Sequence, residues 1–160
     1  VNESSLLETT AEVSVAFTGF IGIFLVLAAR EGRFVPADSF VIRLIVICSI
    51  GPVFFAVLPL VLDLLGLSGP WLWRISSMAV LAAASVAVVY LARQVRALES
   101  GEGRALNYGF MLAMLAAFSG VANAVGWPWA PNGGLYLVTV WSLVGVAGGN
   151  FVELLFRKVL

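Results

Sequence analysis

The sequence predicts an all-α fold, a transmembrane helical bundle with five spans, its N-terminus outside and its C-terminus cytoplasmic. Three observations predict it. The chain of 160 residues is 61% hydrophobic and only 11% charged, with a mean hydropathy of +1.04, whereas soluble domains carry roughly 25% charged residues. Its few charges leave five uncharged gaps, each long enough for the roughly 20 apolar residues that cross a ~30 Å hydrocarbon core. Its basic residues fall on alternate connections between those gaps.

The gaps define the elements in order. Glu12 and Arg30 bound the first, Arg43 and Asp63 the second, and Arg74 and Arg93 the third. No charge occurs from Ala105 to Val152, a stretch too long for one helix. The run from Gly126 to Gly134, with Pro128, Pro131 and paired glycines, divides it. The spans therefore lie near 11–29, 40–64, 71–93, 106–125 and 135–156, in a single transmembrane domain over residues 1–160. A four-span alternative makes 106–125 a partial or re-entrant hairpin. Orientation follows from the enrichment of Lys and Arg on the cytoplasmic side. Five spans put Arg30, Arg33, Arg43, Arg93, Arg96, Arg104, Arg157 and Lys158 inside and only Arg74 outside. Trp71, Trp73, Trp127 and Trp129 then fall at the outer interface, where indoles anchor. The acidic start (Glu3, Glu8, Glu12) lacks the basic region of a signal peptide, so the first span reads as a retained helix. A first residue of Val is what removal of an initiator Met or a short leader leaves.

Helices in lipid associate through small residues and interhelical hydrogen bonds. At i, i+4 spacing the first span carries Thr10, Ser14, Thr18 and Gly22, the third Ala79, Ala83 and Ala87, and the fourth Ala116, Gly120 and Ala124. The fifth holds the GxxxG pair Gly145 and Gly149. Each stripe is a seam within one bundle or a contact between protomers. In the second span Pro52 and Pro59 each remove a backbone donor, which frees the carbonyls of Cys48 and Phe55. Such breaks form substrate or ion sites in transporters, or are ordinary kinks whose carbonyls find a neighbouring partner.

Charges near the bilayer are costly and mark candidate sites. Glu12, Asp63 and Arg74 start or end their spans and are expected at one depth, as an outer cluster. Arg43, Asn150 and Glu153 form an inner one, with an Arg43–Glu153 pair competing against Glu153–Arg157 at i, i+4. No ionisable side chain is expected at the midplane. These charges either tie helices together or border a water path and set cation preference, as acidic rings do in cation pores.

Composition also excludes chemistry. Without His there is no imidazole base and no His-ligated metal or haem, and Cys48 alone forms no internal disulfide or thiolate cluster. The sole Lys158, third from the end, holds no mid-bilayer Schiff base. Asp38 and Asp63 lie at opposite faces, so aspartyl proteolysis is not supported. No phosphate loop with its Lys is present. No cofactor is implied, and zero net charge argues against nucleic acid. A lipid- or quinone-directed enzyme would have to use Glu, Asp or a tyrosine such as Tyr90 or Tyr108, and no enzyme is expected.

Three stretches together carry a resemblance: Ala11–Phe20 opening the first span, Leu58-Pro59 closing the second, and Gly134–Leu137 with Phe151–Phe156 bounding the last. They resemble small uncharacterised multi-span integral membrane proteins of bacteria. The resemblance implies a bacterial inner (plasma) membrane location and no particular activity.

The function expected from these features is a homo-oligomeric channel or transport-type protein for an ion or small solute. The alternative is an accessory or scaffold subunit of a larger membrane complex. The partners are then the lipid bilayer and either copies of the chain or that complex.

Overall fold

The computed structural model describes residues 3–30, 32, 38–95 and 106–159. It is all-helical: α1 (Glu3–Arg30), α2 (Asp38–Leu64), α3 (Gly69–Val95), α4 (Leu106–Val125) and α5 (Gly133–Val159). Four of them, α1, α2, α3 and α5, are long and apolar enough to cross a membrane, and α4 contributes the shorter apolar stretch Leu112–Val125 among the described residues.

Helix α1 has 28 residues and α2, α3 and α5 have 27 each, so each is about 40 Å long at 1.5 Å per residue. That length exceeds the expected spans at most termini, chiefly for α1, which begins at Glu3 rather than near residue 11. The polar start of α1 stays helical because its hydroxyls bond back along the helix. Thr9, Thr10, Ser14 and Thr18 donate to the carbonyls of Ser5, Leu6, Thr10 and Ser14, so none of them draws the backbone out of helical geometry.

The turns have local causes. After α2, Gly66 at φ +87° lets the Leu67 and Gly66 amides donate to Leu62 and Asp63 carbonyls, which closes the helix end. After α4, Gly126 at φ +79° does the same with Ala122. Asn132 starts α5: its Oδ1 accepts the Leu135 amide at 3.0 Å, a side-chain cap on an otherwise unpaired donor.

Helix α5 packs on all four others, most heavily on α4 and α2. Around it run the contacts α1–α2, α2–α3 and α3–α4, and none joins α1 to α3 or α4 among the described residues. The core has two apolar layers. Leu7, Leu72, Trp73, Val80, Tyr136 and Val140 fill one half, and Ile21, Ile45, Phe151 and Leu154 the other. Phe151 is ringed by Phe17, Phe20 and Phe24 in edge-on contact. The two ends of the bundle differ: a tryptophan end holds Trp71, Trp127 and Trp129, and an arginine end holds Arg30 and Arg43.

Polarity is distributed inside out. Ser14, Ser49, Ser76, Ser77, Asn123 and Thr139 are buried, while Phe20, Ile23, Phe54, Val86, Phe118 and Val121 face outward. Phe54 is 69% and Val86 71% exposed, and at ~25 cal/mol per Å² such a surface is unfavourable in water. It fits a membrane-embedded protein, whose buried hydroxyls and amides hydrogen-bond within the bundle while apolar side chains meet lipid.

Of the small-residue positions, Gly120 packs tightest, where an added Cβ would lie 3.1 Å from Leu81 and 3.4 Å from Thr139. The glycines Gly145 and Gly149 separate. A Cβ on Gly145 would lie 3.2 Å from Leu112 of α4, whereas Gly149 and Gly22 meet nothing within 4 Å. Thr10 and Ser14 are buried and Thr18 half-buried. Gly145→Val is therefore expected to lower the thermal midpoint in detergent, by about 1–3 kcal/mol of overpacking. Gly149→Leu should leave that midpoint unchanged and alter only the oligomer distribution on size exclusion, if copies meet there.

Candidate functional site

Three polar constellations are built into the bundle. The first lies at the tryptophan end. Asn123, fully buried near the end of α4, donates through Nδ2 to the Ser77 hydroxyl of α3 at 2.9 Å. Its Oδ1 accepts the Asn132 backbone amide at 2.7 Å. One side chain thus joins two helices and the α4–α5 turn. About one turn along α4 toward its start, the Ser119 and Thr139 hydroxyls meet at 2.9 Å, linking α4 to α5.

Arg74 belongs to this constellation rather than to a carboxylate cluster. Its Nη2 donates to the Val125 carbonyl at 3.2 Å, and its guanidinium lies 5.1 Å from the Trp71 ring centre. A cation on the last carbonyls of α4 is favoured by the helix dipole, and stacking on an indole adds attraction. Gly126 makes the approach possible, since a Cβ there would lie 3.1 Å from Nη2. The Nε is buried without a partner. No ion pair joins Arg74 to Glu12 or Asp63, both exposed.

The second constellation closes the gap that proline opens. Helix α2 runs unbroken through Pro52 and Pro59. The Phe55 carbonyl, freed by Pro59, accepts the hydroxyl of Tyr136 from α5. Tyr136 is fully buried and tilted against Trp73, with ring centres 5.7 Å apart. At Pro59, α2 thus has a packing joint with a satisfied acceptor.

The third lies toward the arginine end. Arg43 donates from Nη1 to the Tyr90 hydroxyl of α3 at 3.3 Å. Asn150 is buried, and its Nδ2 donates to the Val146 carbonyl of its own helix at 2.7 Å. Glu153 is half-buried on α5. Of the expected inner group, Asn150 turns its amide onto its own helix and Arg43 reaches α3.

Glu12 departs furthest from expectation. The indole of Trp141 donates to the Thr10 hydroxyl at 3.2 Å, an offset of 131 residues between α1 and α5, and Phe20 lies against Phe151 at the same offset. The two helices run parallel in that register, which sets Glu12 level with Leu143. Arg74 lies beside the end of α4, so Glu12 is on the order of 10–15 Å deeper along the bundle. The expectation of one shared depth therefore fails: Glu12 lies about a third of the way along α1 and Arg74 beside the end of α4. The physical cause is that Leu7 and Thr10 are buried, so packing carries α1 well beyond its uncharged stretch. The opposite face of α1 presents Ser5, Glu8, Glu12, Ala16 and Gly19, all exposed.

Among the described residues no group of three or more His, Cys, Asp or Glu is placed to hold a metal ion. The buried hydroxyls and amides described above bond to one another, to their own helices, to the α4–α5 turn or to a neighbouring helix's backbone. Comparison with known protein families, with curated proteins and with solved structures gives no match. Function has to be read from the residues themselves.

Proposed function

We propose that the chain is a five-span, non-enzymatic membrane protein that works by assembly through the outer face of α1. Copies gather so that Ser5, Glu8, Thr9 and Glu12 line a shared path for a cation. The observation that carries this reading is the outward placement of Glu12 about a third of the way along α1, inside the span's apolar length. A carboxylate facing hydrocarbon is expensive, so the face bearing it is one that lipid does not cover. An acidic ring facing water in an oligomer removes that cost and sets cation preference. Within one chain, α5 packs on all four other helices among the described residues and occupies the centre of the bundle. The N-terminus lies outside and the basic connections inside, in a bacterial inner membrane, with lipid and further copies as partners and without cofactor or nucleic acid.

Reconstitution in liposomes tests it. Wild-type protein should form an oligomer and pass a monovalent cation faster than an anion. Glu12→Gln should reduce cation selectivity at least several-fold while the oligomer persists. A monomer in lipid, or flux indifferent to Glu12 and Glu8, refutes the path. The same carboxylates support a second reading, an accessory subunit whose α1 face meets a basic membrane helix of a larger complex. Stoichiometric co-purification that Glu12→Gln abolishes, with no flux from the protein alone, would favour it.

A further inference from the structure

A lateral groove of about 440 Å³ opens between α2 and α3, lined by Ile42, Arg43, Val46, Ile47 and Tyr90. Its volume falls in the ~300–1,000 Å³ range of small-molecule sites. We propose that this groove binds one anionic glycerophospholipid, its phosphate on the Arg43 guanidinium and the Tyr90 hydroxyl and an acyl chain against Ile42, Val46 and Ile47. The inference requires only that the chain be membrane-embedded and is independent of any assembly through α1.

Depth supports the assignment. Arg43 lies five residues from the start of α2 and Tyr90 five from the end of α3, each about 7.5 Å from its helix terminus. Helices about 40 Å long in a ~30 Å hydrocarbon core leave roughly 5 Å at each end among headgroups. The polar pair therefore sits at the boundary between headgroup and chain, where lipid phosphates lie.

The chemistry matches in both halves of the groove. Arg43 and Tyr90 are both exposed and 3.3 Å apart, so their donors converge on one spot. A guanidinium presents a planar fork of donors suited to phosphate, and the phenol adds another. The remaining walls are branched aliphatic side chains that offer an acyl chain contact but no hydrogen bond. Helix positions 30, 93, 157 and 158 at the same end are also basic, a field that draws anionic lipid toward the groove. A zwitterionic headgroup brings its own cation and gains less.

Native mass spectrometry of the purified protein, released from mixed phosphatidylglycerol and phosphatidylcholine nanodiscs, tests the proposal. Wild type should retain one phosphatidylglycerol about tenfold more tightly than phosphatidylcholine. Arg43→Gln should bring the two to parity, and Tyr90→Phe should reduce the preference several-fold. Val46→Trp, which fills the groove and leaves the guanidinium in place, should displace the lipid. It keeps the test decisive if the arginine variant does not fold. Arg30→Gln should leave the preference intact. Equal retention of the two lipids by wild type overturns the proposal. So does loss of preference in Arg30→Gln to the same extent as in Arg43→Gln, since diffuse charge would then suffice. Displacement of the bound lipid by inorganic phosphate would assign the site to free anion and overturn the lipid reading.

Discussion

Tyr136→Phe is expected to destabilise the protein by about 1–2 kcal/mol, although it removes a single oxygen. The tyrosine hydroxyl donates to the Phe55 carbonyl, which has no helical donor because position 59 is proline. Deleting the hydroxyl leaves a buried acceptor with neither protein nor water, a cost of ~1–3 kcal/mol. Interhelical hydrogen bonds in membranes average less, about 0.6 with a maximum near 1.7 kcal/mol, because the reference state finds other partners. The proline makes this case exceed that average, since no local donor replaces the lost one. A double-mutant cycle isolates the effect. Pro59→Ala restores a backbone N–H four residues from Phe55, so in that background Tyr136→Phe should cost about 1 kcal/mol less. Equal losses of thermal midpoint in both backgrounds would show that the hydroxyl's contribution does not depend on the donor missing at Pro59.

That joint shows how far the sequence could be read. Pro59 announces a freed carbonyl at Phe55, because a missing donor is a local fact. Which side chain answers is a tertiary fact, set by the rotation of α5, and no spacing in the chain points to Tyr136. Helix number and the glycine-closed turn after α4 are legible for the same local reason, whereas Gly66 after α2 stands in no such run of turn residues. Uncharged gaps mark α2 and α3 well, since charges fall near their ends, and the Gly126–Gly134 run separates α4 from α5. They mislead on α1, where Leu7, Thr10, Ser14, Ile21 and Ala28 repeat at heptad-like spacing, a packing seam that runs past Glu12. That repeat was the available signal for a helix beginning near residue 3.

The charged residues illustrate the same division. Sorting by membrane side groups Arg74 with Glu12 and Asp63, because depth was counted from the nearest uncharged gap. In the fold Arg74 turns to the end of α4, an acceptor that every helix terminus offers and that carries no sequence mark. Arg43 likewise finds Tyr90 across 47 positions. Polar groups in a bundle choose partners by height and rotation, and only height is partly written in the chain. The Asn132 cap was within reach: an Asn directly before Gly133, after two prolines and ahead of an apolar run, is a helix start.

Asn123→Leu is expected to be the most damaging single change at the tryptophan end, at about 2–3 kcal/mol. Leucine fills a similar volume, so packing alone predicts little loss, and the expected cost comes from the groups left behind. The Asn132 amide loses the acceptor it holds at 2.7 Å, and Ser77 loses a donor at 2.9 Å. An orphaned buried donor costs ~1–3 kcal/mol. The loss propagates because Asn132 also caps α5 through Leu135, and a cap is worth ~0.5–2 kcal/mol. Ser77→Ala removes one partner and spares the turn, so it should cost only about 0.5–1 kcal/mol. Asn132→Gly keeps the amide while deleting the cap, and should fall between them. Hydrogen exchange distinguishes the routes: Asn123→Leu should speed exchange at the Asn132 and Leu135 amides together, Asn132→Gly mainly at Leu135, and Ser77→Ala at neither. If Asn123→Leu costs no more than Ser77→Ala and leaves Asn132 protected, the turn is held by its prolines and glycines, and the asparagine is a tie between α3 and α4 alone.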